Sequence, residues 1–213
     1  MTDQSDSLVT IQTDGVELEG ELQVPADAAG VVVFAHGSGS SRKSPRNTFV
    51  ADKLRERGLG TLLFDLLTEA EDRRRETRFD IDLLTDRLLG ATEWVRDNPT
   101  TAGLNIGYFG SSTGAAAALR AAAERGDDVA AVVSRGGRVD LAAEQAPDVT
   151  AATLFVVGGA DTQVLELNRE VLDALTCETD IAVVEGAGHL FEGEGELETV
   201  ADLAGEWFAD HLA

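Results

Sequence analysis

Cysteine is almost missing from this 213-residue chain: Cys177 stands alone, so neither an internal disulfide nor a cysteine-based zinc site can form. Lysine is nearly as scarce, with only Lys43 and Lys53. Long apolar runs are missing too. They come in fours to sixes broken by Gly, Asp and Arg, far short of the roughly 20 residues that cross a bilayer. A membrane-spanning protein is therefore not expected. Met1 to Asp6 carry neither a basic n-region nor an apolar h-region, so no secretory leader is expected and the chain reads as cytoplasmic. Internal repeats and low-complexity linkers are also lacking, and residues 1–213 read as one domain with enough length for one sizeable core.

Positive charge is in short supply: 17 basic residues face 39 acidic ones, a net charge of −22. Such a surface repels nucleic-acid phosphates, so no nucleic-acid partner is expected. Disordered chains share high net charge but lack the Val, Ile, Leu and Phe runs present here. The balance, with aromatics at only 5%, predicts a folded, halophilic protein whose self-repulsion is screened by concentrated salt.

What is present is a regular alternation. Leu8–Thr13 and Val16–Val24 alternate apolar and polar residues around Asp14-Gly15, a hairpin signal. Val31–Ala35 and Thr61–Phe64 are continuous apolar runs, as strands covered on both faces require. Helical stretches follow at Asn47–Arg57, Asp80–Asp97 and Leu197–Leu212, and further strands at Asn105–Phe109, Val129–Ser134, Ala152–Val157 and Asp180–Val184. This order predicts an α/β fold: a mostly parallel, eight-stranded sheet with an antiparallel start and helices on both faces. The longest connection carries the charged segment Glu69–Arg78, too short and too polar for a lid domain.

Ligands of open α/β sheets bind beyond the carboxyl ends of the strands. There Gly110-Ser111-Ser112-Thr113-Gly114 follows a strand and opens the helix Ala115–Arg125. A G-x-S-x-G turn holds its central serine in a sharp, strained conformation, which makes Ser112 the candidate nucleophile. A serine hydroxyl needs a base to take its proton. Of the three histidines, His211 lies on the terminal helix and His36 at the entrance to a glycine-rich loop, whereas His189 follows the last strand on a loop free to reach Ser112. His189 is the candidate general base. Asp161 follows a buried strand through Gly158-Gly159 and precedes His189, so it is the carboxylate expected to orient the imidazole, giving the order Ser, Asp, His. The developing oxyanion is expected to meet the backbone N–H groups of Thr113 and Ser38, the latter on the loop His36-Gly37-Ser38-Gly39-Ser40-Ser41.

Residues 36–41 (HGSGSS), 110–116 (GSSTGAA) and 186–191 (GAGHLF) together resemble an α/β hydrolase of the small dienelactone-hydrolase-like group. The likeness spans nearly the whole chain. It implies the α/β-hydrolase fold without a lid and a serine hydrolase needing no metal or cofactor. Dienelactone hydrolase itself uses a cysteine nucleophile where this chain has Ser112, so the name of that reaction does not transfer. One triad serves esters, lactones and thioesters alike, and the expected partner is a small acyl substrate, with monomer and homodimer equally open.

Two other classes remain in view. A dinucleotide-binding turn would use Gly37-x-Gly39 after a strand, but Arg42 stands where its third small residue is wanted, and Pro45 argues against it too. The other is a catalytically inactive binding module of the same fold. The basic residues add a substrate expectation: nine of the 17 fall in three loops at the strand ends, among them Arg42, Lys43, Arg46 and Arg135, against five acidic neighbours. Either these arginines pair with those acids and stiffen the loops, or they anchor an anionic substrate, with Arg42 and Arg135 the expected anchors and His36 beside them.

Overall fold

The computed structural model describes residues 7–213; the expectation about Met1–Asp6 lies outside them. The hairpin is β1 (Ser7–Thr13) and β2 (Val16–Gln23), turning at Asp14 and Gly15, both at positive φ. Then come β3 (Gly30–Ala35), α1 (Pro45–Glu56) and β4 (Gly60–Phe64). The long connection folds as two single-turn helices, α2 (Glu69–Asp72) and α3 (Arg75–Arg78), before α4 (Ile81–Asp97). β5 (Asn105–Ser111), α5 (Thr113–Arg125), β6 (Val129–Arg135), β7 (Ala152–Gly158), α6 (Thr162–Leu172), β8 (Thr179–Val184) and α7 (Glu196–Leu212) complete the chain.

The eight strands form one sheet in the order β1-β2-β4-β3-β5-β6-β7-β8. β2 runs against both of its neighbours, and every pair from β4 across to β8 is parallel. The chain passes from β3 to β4 on one side and then to β5 on the other, so the crevice beyond β3 and β5 is the topological switch point.

Burial explains the uninterrupted apolar runs. In β3, Val31, Val33 and Ala35 face a core shared with Leu88 and Val95 of α4 and the alanines of α5. Val32 and Phe34 face the opposite core, shared with Val50 and Leu54 of α1 and Val200, Ala204 and Phe208 of α7. Period-two side chains with helices on both faces leave no position in the strand for a polar residue.

The loop from β3 to α1 is long. α1 starts at Pro45, capped by Ser44, whose hydroxyl accepts from the Asn47 N–H at 3.4 Å. A dinucleotide-binding turn would enter its helix directly from the glycines; here the chain runs on past Gly37 and Gly39 to Ser44. No helix among the described residues is long and apolar enough to cross a membrane.

Candidate active site

Ser112 sits between the end of β5 and the start of α5 with φ 51° and ψ −121°, a region costly for a side chain bearing a Cβ. Two close approaches impose it. A Cβ on Gly114 would stand 2.1 Å from the Ala35 carbonyl oxygen, and one on Gly110 would stand 2.5 Å from the Ala115 Cα. Only glycine lets α5 press this tightly against the sheet. The backbone then fixes the turn: the Ser112 N–H donates to the Arg135 carbonyl at 3.2 Å, and the Ser112 carbonyl accepts from the N–H groups of Ala115 and Arg138 at 3.1 and 3.0 Å.

His189 comes from the loop after β8 and Asp161 from the loop after β7. They meet in a hydrogen bond of 2.7 Å between His189 Nδ1 and Asp161 Oδ2. A carboxylate only accepts, so Nδ1 carries a proton, and in the neutral ring Nε2 keeps its lone pair. Ser112 and His189 line one cavity of about 610 Å³ together with the Gly37–Ser41 loop, Arg46 and Arg135. The imidazole lies beside Gly136, whose Cβ position would be 3.4 Å from Nδ1. The Ser112 hydroxyl makes no hydrogen bond among the described residues, so the bond expected to link it to His189 is not formed. Such bonds are often long before substrate arrives.

Other expected residues fall differently. Ser38 and Thr113 are brought together, but by a direct bond: the Ser38 N–H donates to Thr113 Oγ1 at 2.9 Å, so this donor is already engaged. The Thr113 N–H, at the head of α5, has no partner among the described residues. His36 is buried and spends both ring nitrogens on backbone. Nδ1 donates to the Gly37 carbonyl at 3.0 Å, and Nε2 accepts from the Leu66 N–H at 3.0 Å. Burial pushes its pKa below the ordinary value, against the Gly37 bond and the Asp65 and Asp72 charges that favour protonation. It braces the loop and is absent from the wall of the cavity that holds Ser112. Arg42 also falls outside that wall. Its guanidinium lies 2.5 Å from Glu19 and 3.5 Å from Asp65, is buried, and is absent from the cavity wall, because two carboxylates from β2 and the end of β4 already neutralise it.

Arg135 does line the cavity. It is 8% exposed, and its guanidinium has no hydrogen-bond or ion-pair partner among the described residues, with Nη1 wholly buried. One supporting residue escaped the sequence reading. Asn168 of α6 is fully buried and donates through Nδ2 to the carbonyls of Gly137 and Val164, both at 2.8 Å, which steadies the Gly136-Gly137 loop under His189. Its signal was a polar residue on an otherwise apolar helical stripe, Val164, Leu165 and Val171. No cluster of His, Cys, Asp and Glu among the described residues is arranged to hold a metal ion.

Comparison with known proteins places this arrangement. The model of the dienelactone hydrolase family matches residues 18–205. A dienelactone hydrolase from Anabaena variabilis superposes with a TM-score of 0.97 at 50% identity, covering 99% of each chain. Est1E from Butyrivibrio proteoclasticus shares the fold at a TM-score of 0.82 and 15% identity, over 95% of this chain and 98% of its own. Proteins from two strains of Mycobacterium tuberculosis, named provisionally as phosphoribosyl transferases, are 53% identical over 97% of this chain. The chain spans only 47% of their length. An eight-stranded α/β-hydrolase sheet, a family model matched over most of the length and a 50% identical relative lead to one conclusion: this chain belongs to the dienelactone hydrolase family.

Proposed function

We propose that the protein is a serine hydrolase that cleaves a small ester, lactone or thioester through an acyl-enzyme on Ser112. The observation that carries this reading is the 2.7 Å bond from His189 to Asp161 at the wall of the cavity that holds the strained Ser112. With Nδ1–H committed to Asp161, the free lone pair on His189 Nε2 takes the Ser112 proton as Oγ bonds to the acyl carbon. The carbonyl π electrons move onto oxygen, and the N–H of Thr113 is the donor available to that oxyanion. Ser38 joins only if its N–H leaves Thr113 Oγ1. Collapse breaks the bond to the leaving group, which receives the proton from His189. Water, deprotonated by the same imidazole, then attacks the acyl-enzyme, releasing the acid and restoring Ser112.

The mycobacterial name supplies a second reading, a phosphoribosyl transferase. It belongs to proteins about twice as long, and nothing in that name calls for an activated serine. A fluorophosphonate probe separates the readings. Labelling of the intact protein at Ser112, absent from Ser112→Ala, together with turnover of short acyl esters in molar salt, is the expected result. A folded protein that neither labels nor turns over any ester in the panel is a transferase or a binding module, and the hydrolase reading is then wrong.

A further inference from the structure

The cavity beside Ser112 is built as a cation-rich socket in a chain of net charge −22. Three basic residues line it, Lys43, Arg46 and Arg135. Among the described residues Arg135 and Lys43 have no carboxylate partner, and Arg46 reaches only Glu192, at 3.8 Å. The one carboxylate in the cavity wall, Asp72, is already gripped by Arg78 at 3.0 and 3.2 Å. Elsewhere in the strand-end loops Arg42 holds Glu19, Arg73 holds Glu69 and Arg138 holds Asp140, and the arginines there without a carboxylate partner among the described residues, Arg74 and Arg75, are exposed, whereas Arg135 is buried. A protein with 39 acidic residues that leaves a buried guanidinium unpaired keeps a costly arrangement. An anion from outside would relieve it.

The backbone adds to the field. Ser44 and Pro45, the cap and first residue of the twelve-residue α1, lie in the same wall, so the positive end of a helix dipole opens onto the cavity. Burial, with the nearby Arg46 charge adding to it, lowers the Arg135 pKa to about 10, which still leaves it protonated at neutral pH. Its position also limits the substrate. Arg135 is the sheet partner of Ser111, so its Cα is roughly 4.8 Å from that of the residue before the nucleophile.

We infer that the substrate carries a phosphate monoester close to its scissile acyl bond, and that Arg135 binds this phosphate with Arg46 and Lys43 completing its neutralisation. A carboxylate would satisfy one of the two cations without a carboxylate partner, Arg135 and Lys43, and leave the other in excess. A phosphate brings close to two negative charges and three acceptor oxygens, which suits a forked guanidinium and two further cations. The assignment rests on the hydrolase reading, since the phosphate serves to hold the acyl carbon at Ser112.

The test has a binding arm and a kinetic arm. Calorimetric titration with inorganic phosphate, at ionic strength fixed by KCl, is run on the wild type, Ser112→Ala, Arg135→Gln and Arg135→Lys, with folding checked by circular dichroism. Saturable binding is expected in the wild type and in Ser112→Ala, weakened by about ten-fold or more in Arg135→Gln and less in Arg135→Lys. The kinetic arm compares kcat/KM for acetate esters of three short alcohols bearing a phosphate, a carboxylate or a methyl ether. The phosphate ester is expected to lead by about ten-fold or more, a margin lost in Arg135→Gln. Ser112-dependent cleavage without phosphate binding, or with the carboxylate or neutral ester preferred, overturns the inference and leaves the hydrolase reading standing. Phosphate binding that depends on Arg135, with no ester cleaved and no labelling at Ser112, overturns the hydrolase reading and the substrate assignment with it.

Discussion

His189 Nδ1 and Asp161 Oδ2 stand 2.7 Å apart, joining two loops that are 28 residues apart in the chain. In the proposed mechanism this bond selects the imidazole tautomer and supports the positive charge that would form as Nε2 takes the Ser112 proton. Asp161→Asn preserves shape, but its amide presents either N–H or C=O to the ring and no charge. We expect kcat to fall on the order of 1,000-fold or more with the melting temperature close to wild type, measured on one short ester and by thermal unfolding. Retention of more than about a tenth of kcat, within the range of a minor contact, would remove Asp161 from the proposed machinery.

Much of this arrangement is legible in the sequence because it depends on local chemistry. The glycines around Ser112 mark a tight strand-to-helix turn, and the apolar runs of β3 and β4 mark a sheet covered on both faces. The segment 69–78 carries a local signal beyond its charge. Thr68 and Glu71 have capping-box spacing, and the structure forms both bonds of that box at the head of α2. The arginines were not legible in this way. Which of them meets a carboxylate depends on strands brought together from distant positions: Glu19 in β2 neutralises Arg42, while Arg135, in register with Ser111 at the end of β6, meets none. The engagement of the Ser38 N–H by Thr113 Oγ1, across 75 residues, is likewise decided by tertiary contact.

Arg135 should cost stability. Its pKa is lowered to about 10, chiefly by burial and then by Arg46. The native state therefore binds fewer protons than the unfolded chain above that pH, and stability gains from deprotonation only in strong alkali. At neutral pH the penalty is fully present, on the order of 3 kcal/mol. Arg135→Met keeps the bulk and removes the charge, and is expected to raise unfolding free energy by about 1–2 kcal/mol in urea titrations. A lower urea midpoint at unchanged m-value would mean that the guanidinium is stabilised by contacts its environment does not otherwise reveal.

His36 should give the fold an acid-sensitive point outside the proposed chemistry. Burial holds its pKa below the ordinary value, against the Gly37 hydrogen bond that favours protonation, and the neutral Nε2 accepts from the Leu66 N–H, a bond that protonation would forfeit. Its contribution is complete above the unfolded-state value of about 6.5 and is lost as pH falls toward the lowered folded value. Unfolding free energy should drop as pH falls below about 6.5, and His36→Gln should flatten that drop while costing about 1–3 kcal/mol at neutral pH. Equal pH slopes in the two proteins would assign the acid sensitivity to other groups.

Salt dependence should follow from where the carboxylates lie. Glu17, Glu19, Asp65, Glu69 and Asp72 line one shallow cavity at the β2–β4 edge. Glu19 and Asp65 share Arg42, Asp72 has Arg78 and Glu69 has Arg73, whereas Glu17 has only the neutral Gln12 amide. Across the chain the excess of acids makes this local imbalance general. Raising salt from about 0.1 M to 1 M shortens the screening length from roughly 10 Å to 3 Å, which quiets repulsion between acids several ångströms apart more than it weakens close ion pairs. The melting temperature should therefore climb with KCl over that range. Glu17→Gln removes one of the least compensated charges, and should raise the low-salt melting temperature by about 2–4 °C for each kcal/mol of repulsion relieved while reducing the slope against KCl. A wild type that melts at the same temperature in low and molar salt would show that net charge does not limit this fold, and the halophilic reading would fall.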